Sequence, residues 1–216
     1  MKIEPDLQCP LCGSREHAHY HQDRRTYLEC QNCAMVFVKP EDRLPADEEK
    51  SRYDLHNNDP SDVNYRQFLS RLLIPLTKEI SPGSKGLDFG SGPGPTLSIM
   101  LEEAGHEMNI FDIFYAPDAS VFDEEYDFIT ASEVLEHLHQ PIFELDRLWS
   151  CLKPNGWLGL MTNRLPEPDA FPNWYYKNDD THVCFFDLES FRWLAKRWNA
   201  RLVVASAEVV LLEKPD

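Results

Sequence analysis

No stretch of this 216-residue chain approaches the roughly 20 consecutive apolar residues that a membrane-spanning helix requires. The opening residues Met1-Lys2-Ile3-Glu4-Pro5-Asp6 also lack the apolar core of a secretory signal, so the expectation is a cytoplasmic protein with no membrane partner. Positive charge is scarce as well. Twenty-one Lys and Arg face 37 Asp and Glu, a formal net charge of −16. Nonspecific attraction to nucleic acid comes mainly from Lys and Arg that neutralise phosphates, so this balance counts against it without excluding a local basic groove. In a reducing compartment, paired thiols point to metal before disulfide.

Four of the six cysteines form two such pairs, Cys9-Pro10-Leu11-Cys12 and Cys30-Gln31-Asn32-Cys33, with seventeen residues between them. Two C-x-x-C knuckles supply four thiolates for a tetrahedral Zn²⁺, and the alternation through Ala18, Tyr20, Tyr27 and Leu28 suits a hairpin between them. In a segment of about forty residues the metal replaces a core too small to form alone. A redox dithiol or a pair of disulfides are the competing readings of the same spacing. His17, His19 and His21 are expected as exposed hairpin residues, since four cysteines already complete a site. The segment carries five basic and five acidic residues, a poor composition for clamping nucleic acid. Residues 1–40 are thus read as a zinc ribbon and 41–63 as an acidic connector containing Ser51-Arg52-Tyr53-Asp54-Leu55-His56-Asn57-Asn58.

From residue 64 the pattern changes to strands alternating with helices. Tyr65, Phe68, Leu69, Leu72, Leu73, Leu76 and Ile80 give an amphipathic helix over 64–80 that Pro75 should kink or divide. Leu87-Asp88-Phe89-Gly90-Ser91-Gly92-Pro93-Gly94 ends a strand in a glycine turn that leads into a helix from Thr96 to Glu103. Such glycines allow positive φ and close approach of backbone to ligand. A second strand, Glu107 to Asp112, ends on a carboxylate placed to hold a ribose diol. Further on, Tyr126 to Ala131 reads as a strand, 133–139 as the start of a helix, 142–152 as helical and 157–162 as a strand. A polar, proline-rich excursion over 163–180, a helix over 188–198 and two strands over 202–205 and 209–213 complete the pattern. It implies a mostly parallel sheet with a closing antiparallel hairpin.

Leu87 to Gly94, Asp112, Tyr126-Asp127-Phe128-Ile129, Val134-Leu135-Glu136-His137-Leu138 and Leu152-Lys153-Pro154-Asn155-Gly156-Trp157 together resemble the motif series of class I S-adenosylmethionine (SAM)-dependent methyltransferases. The resemblance covers residues 64–216 and implies an α/β, Rossmann-like methyltransferase domain behind the ribbon. It also implies SAM on Asp88, Gly90, Ser91, Gly92 and Gly94, ribose hydroxyls on Asp112, adenine beside Ile113, and Ser132 and Glu133 lining the methyl-transfer site. Tyr53 or Tyr65 would cover the methionine carboxylate. One departure stands out: only 114–125 separate the second strand from the next, too few for the family's helix and third strand. The adenine-binding acid is therefore unassigned, with Asp118 as the nearest candidate.

Glu133, Glu136 and His137 stand at i, i+3 and i+4, one face of a helix if that segment is helical. With His182 they resemble the metal site of small-RNA 2′-O-methyltransferases and, in part, of ubiquinone-biosynthesis O-methyltransferases. The resemblance implies a second divalent metal, Mn²⁺, Fe²⁺ or Zn²⁺ rather than Mg²⁺, that would bind a diol or catechol and acidify the attacked hydroxyl. In class I enzymes without metal, the same Leu-Glu-His-Leu orders the cofactor loop. His182 is then the leading general base, followed by His137, because an imidazole changes charge near neutral pH. The leading expectation is methyl transfer to a hydroxyl of a small-molecule acceptor. An RNA methyltransferase and a non-catalytic SAM-binding protein that engages a protein partner through its ribbon are the alternatives.

Overall fold

The computed structural model describes residues 7–53 and 58–216; Met1–Asp6 and the Asp54-Leu55-His56-Asn57 part of the connector lie outside the described residues. Two sheets result. The N-terminal hairpin pairs β1 (His17–Gln22) with β2 (Thr26–Cys30), and β2 pairs with β3 (Val36–Val38). The connector holds α1 (Ala46–Tyr53).

The second sheet begins after α2 (Val63–Leu76). Asp62 caps this helix by accepting from the Asn64 and Tyr65 amides, and Leu69, Leu72 and Leu76 are buried along one face. Pro75 does not divide α2. It falls in the last turn, and the helix ends at Leu76 rather than Ile80; Thr77 Oγ1 donates to the Leu73 carbonyl at 3.0 Å.

There follow β4 (Lys85–Phe89), α3 (Thr96–Glu103), β5 (Glu107–Phe111), β6 (Tyr126–Ser132), α4 (Pro141–Ser150), β7 (Leu152–Met161), β8 (Cys184–Phe185), α5 (Leu188–Trp198), β9 (Arg201–Val204) and β10 (Val209–Glu213). The large sheet has the order β5-β4-β6-β7-β10-β9, parallel from β5 to β7, with β10 antiparallel to both its neighbours. This is the mostly parallel sheet with a terminal hairpin that the strand pattern implies. No third strand lies beyond β5 among the described residues. In its place Phe89, Phe111 and Phe122 pack together, with Phe111 and Phe122 centroids 4.7 Å apart, and the Arg147 guanidinium of α4 lies 3.6 Å from the Phe122 centroid. A cation over aromatic faces thus covers the flank that the omitted helix would otherwise cover.

The small sheet is not self-contained. Its order is β1-β2-β3-β8, so its fourth strand comes from beyond the 163–180 excursion, with Val36 opposite Phe185 and Phe37 opposite Cys184. Tyr27, Phe37, Phe171 and Phe185 are fully buried there, and Tyr27 and Phe171 meet edge to face at 5.1 Å. Burial of each such ring contributes about 2 kcal/mol, which makes this junction a core. His19 is exposed as expected, but His17 and His21 are half-buried, His17 against Phe37 and His21 against Tyr27 and Phe171.

A second correction concerns 133–139, which is not an α-helix. Glu133 has φ +53°, Leu135–His137 form a single 3-10 turn, and the helix starts only at Pro141. A left-handed residue cannot sit in an α-helix, and the Glu136 carbonyl accepts instead from the Val183 amide at 2.7 Å. No helix among the described residues is long and apolar enough to cross a membrane.

Candidate functional site

The carboxyl ends of β4, β5 and β6 open onto one rim, where a glycine turn meets two acids, Asp88 and Asp112. Gly90 and Gly92 have φ of +75° and +66°, which an L side chain rarely adopts. The turn is tied to β5, because the Gly90 amide donates to the Phe111 carbonyl at 2.7 Å and the Gly92 amide to Asp112 Oδ2 at 2.9 Å. Asp112 Oδ1 accepts from the Phe114 and Tyr115 amides. Oδ1 is filled by these two amides, whereas Oδ2 accepts from Gly92 alone and keeps a second lone pair, so the acid can brace the turn and still accept one hydrogen bond from a diol. Ile113 beside it is exposed, whereas Asp118 accepts from the Ser120 amide and caps a 3-10 turn.

Asp88 lies beneath the turn, 4 % exposed, and accepts from Thr130 Oγ1 at 2.7 Å. Burial pushes its carboxyl up to about 7; Thr130 opposes the rise and the Asp112 charge adds to it. A cationic ligand group at this rim would reverse that shift. Two further groups stand out: Ser91 Oγ and Ser132 Oγ are buried with no hydrogen bond among the described residues. These orphaned hydroxyls and the glycine turn fit a polar cofactor with a positive end. Asn58 of the connector sits against the turn, so closely that a Cβ at Gly94 would lie 2.0 Å from its carbonyl oxygen. Tyr65 stacks on Phe68 along α2, and its hydroxyl is kept protonated by burial and by the Asp88 and Glu133 charges. Tyr53 lies edge-on to His137 at 5.1 Å and against Phe114 at 5.6 Å, bridging this rim to a second cluster.

That cluster joins Glu136, His137 and His182, whose ligand-capable atoms lie within 4.8 Å of one another. Glu136 is fully buried; Thr162 Oγ1 donates to it at 2.9 Å, and Tyr176 Oη donates to its other oxygen. His182 places Nδ1 2.7 Å from the Tyr176 carbonyl, and His137 places Nδ1 3.3 Å from the Thr181 carbonyl. In the neutral rings, donation to a carbonyl puts the proton on Nδ1 and the lone pair on Nε2, the arrangement of a metal ligand or a base; His182 Nε2 also lies 3.9 Å from Asp179 Oδ2. Glu133 stands apart from the three. It shares the Tyr176 hydroxyl with Glu136, at 3.2 Å, and its left-handed backbone is the kind of strain that collects at functional sites. Burial first and the Glu136 charge second push Glu133 up to about 9, while burial pushes Glu136 up to about 7. Tyr176 and Thr162, which complete this cluster, belong to no motif of the sequence.

The four N-terminal cysteines also converge. Their sulfurs lie within 4.8 Å of one another, with Cys9–Cys33 at 3.7 Å and Cys12–Cys30 at 3.3 Å. A tetrahedral zinc with bonds of about 2.3 Å spaces its sulfurs about 3.8 Å apart, whereas a disulfide needs about 2.0 Å. All four are free thiols. Cys9 and Cys33 are held above the usual thiol range, first by the Cys30 sulfur and also by burial, which a bound cation would reverse.

The sheet order, the glycine turn and the paired acids define a class I SAM-dependent methyltransferase. The chain belongs to the Methyltransferase domain family, whose profile matches residues 62–205. It is similar to the ubiquinone biosynthesis O-methyltransferase of Stutzerimonas stutzeri, with 31% identity over 87 residues that span 40% of this chain and 38% of that protein. Among solved structures, the 1,6-didemethyltoxoflavin-N1-methyltransferase of Burkholderia thailandensis, with S-adenosylhomocysteine bound, matches at a TM-score of 0.52 and 15% identity, covering 92% of this chain and 99% of its own. A SAM-dependent methyltransferase from Archaeoglobus fulgidus matches at 0.50 and 19% identity, covering 63% and 69%.

Proposed function

We propose that the chain transfers the methyl group of SAM to a hydroxyl of a small molecule, with a divalent metal held by Glu136, His137 and His182. The convergence of those three groups within 4.8 Å, next to the carboxyl end of β6, carries the reading. Similarity to an O-methyltransferase of ubiquinone biosynthesis and the acidic overall charge support a small-molecule acceptor over RNA. In this reading Asp88 faces the methionine end of the cofactor, Asp112 the ribose, Ile113 the adenine, and Gly90, Ser91, Gly92, Gly94 and Ser132 line its path.

Bound SAM supplies an electrophilic methyl on a sulfonium, so alignment of the acceptor oxygen provides much of the rate. Two imidazoles and one carboxylate suit Mn²⁺, Fe²⁺ or Zn²⁺ and leave positions for a diol or catechol. Held there, a metal would supply Lewis acidity that lowers the pKa of the attacked hydroxyl. The Nδ1–carbonyl contacts fix the orientation of both imidazoles, and Tyr176 and Thr162 orient Glu136. The Cys9–Cys12–Cys30–Cys33 cluster is read as a structural zinc site of residues 1–40.

The tautomer of His182 also serves a metal-free route in which its Nε2 takes the acceptor proton. Metal dependence separates the two. With a panel of catechols and radiolabelled SAM, transfer that requires Mn²⁺ and is lost in both Glu136→Ala and His182→Ala supports the metal. Transfer that survives chelation and Glu136→Ala but not His182→Ala assigns His182 as the base. Transfer unaffected by either substitution removes this cluster from catalysis.

A further inference from the structure

The tip of the N-terminal hairpin reaches segment 176–182, the end of the excursion and the two residues after it, which carries His182. Arg25 is 4 % exposed and spreads its guanidinium over four main-chain carbonyls of that segment: Asp180 and His182 from one nitrogen, both at 3.0 Å, and Lys177 and Asp179 from the other, at 2.5 and 3.1 Å. Its Nε donates to Tyr27 Oη at 3.2 Å. The two residues before it repeat the pattern. Arg24 donates to the Asn178 carbonyl at 2.6 Å and pairs with Asp180, while Asp23 pairs with the buried Lys177. The opposite side of the same short segment forms the acceptor site, through Tyr176 on Glu136, the His182 ring, and the Thr181 carbonyl beside His137.

We infer that Arg25 is a positioning residue for methyl transfer, and that through it the cysteine-knuckle module fixes the half of the acceptor site that carries Tyr176 and His182. Five carbonyls converging on one hairpin tip are an expensive arrangement unless cations answer them, and segment 176–182 has no helix or strand of its own beyond a single 3-10 turn. A guanidinium fork satisfies four acceptors in one plane. A lysine ammonium has three donors on a flexible stem and cannot span them. The cysteine cluster lies at the other end of the same hairpin, and Ser190 Oγ of α5 donates to the Cys33 carbonyl at 2.9 Å, a second tie between the module and the main domain. Loss of the metal from the knuckles would therefore release the hairpin tip and, with it, the excursion.

This inference rests on the proposed acceptor site only for its functional meaning; the clamp itself is a physical property. The test compares full-length, zinc-loaded wild type with Arg25→Lys by hydrogen exchange over 176–183, zinc content, S-adenosylhomocysteine affinity and Mn²⁺ affinity read by electron paramagnetic resonance. Arg25→Lys should keep its zinc and bind S-adenosylhomocysteine within twofold of wild type. Exchange over 176–183 should quicken at least tenfold and Mn²⁺ affinity should fall at least tenfold. Unchanged exchange in that segment would overturn the inference. If Arg25→Lys fails to fold, zinc is stripped from wild type with a chelator. Faster exchange over 176–183 with β4 and β6 still protected supports the clamp, and equal protection with and without zinc overturns it. A wild type that binds no S-adenosylhomocysteine or no Mn²⁺ contradicts the proposed function, while the exchange comparison still decides the clamp.

Discussion

The proposed cofactor rim and the proposed acceptor cluster sit side by side but are assembled in opposite ways. Most of the rim comes from one βαβ unit: Asp88, Gly90, Ser91, Gly92, Gly94 and Asp112 lie within twenty-five residues, main-chain bonds from the turn to Phe111 and Asp112 hold it, and Thr130 and Ser132 of β6 and Asn58 of the connector complete it. The acceptor cluster draws Glu133, Glu136 and His137 from the end of β6, Tyr176 and His182 from segment 176–182, and its outer support from Asp23, Arg24 and Arg25. A rim built locally tolerates changes elsewhere in the chain. A cluster built from three distant segments fails when any one of them is released.

The largest break in that contrast should come from the cysteines. Cys33→Ala removes one of four thiolates, and structural zinc sites contribute on the order of 10 kcal/mol to the folding of small modules. Loss of zinc by elemental analysis and loss of methyl transfer are expected together, with S-adenosylhomocysteine binding retained by the large sheet. Next, Gly94→Ala would place a Cβ 2.0 Å from the Asn58 carbonyl oxygen. The connector must then shift, and calorimetry should show at least a tenfold loss of cofactor affinity, roughly 1.4 kcal/mol, with zinc unaffected.

A pH effect should follow at the rim. The Asp88 carboxyl is raised to about 7, so it is largely protonated below that pH in the free protein, and pairing with the cationic amino end of the cofactor requires its ionised form. Binding is then coupled to proton release, and affinity should fall up to about tenfold as pH drops from 7 to 6. The same raised pKa disfavours the folded free protein where unfolded Asp is ionised, so Asp88→Asn should be slightly more stable than wild type at pH 8 yet bind more weakly, with a flat pH profile. The smallest effect is expected at Arg147→Leu. It keeps the packing over Phe122 but removes the cation, for a loss of about 1 kcal/mol by denaturant titration.

The same contrast explains what could be read in advance. Short-range periodicity and turn chemistry carry the glycine turn, the strand-and-helix alternation and the closing hairpin, because each is set by neighbours in sequence, and the missing third strand follows from the length of 114–125 set beside the family pattern. The paired cysteines were legible for the same reason. The i, i+3, i+4 spacing of Glu133, Glu136 and His137 reads as a helix, yet Glu133 turns left-handed and the Glu136 carbonyl pairs with Val183, 47 residues further along. Those partners are tertiary. Nothing in the local pattern around Arg25 marks it as buried, since its four carbonyls lie more than 150 residues away. The pairing of β3 with β8 is hidden in the same way, because a two-residue strand has no period to detect.

Separate titrations of S-adenosylhomocysteine and Mn²⁺ into wild type, Glu136→Ala and His182→Ala test the central claim most directly. The account predicts one S-adenosylhomocysteine per chain in all three proteins, with affinities within a few-fold, and one Mn²⁺ per chain in wild type that both substitutions abolish. A wild type that binds no S-adenosylhomocysteine, or substituted proteins that keep the Mn²⁺, would contradict it.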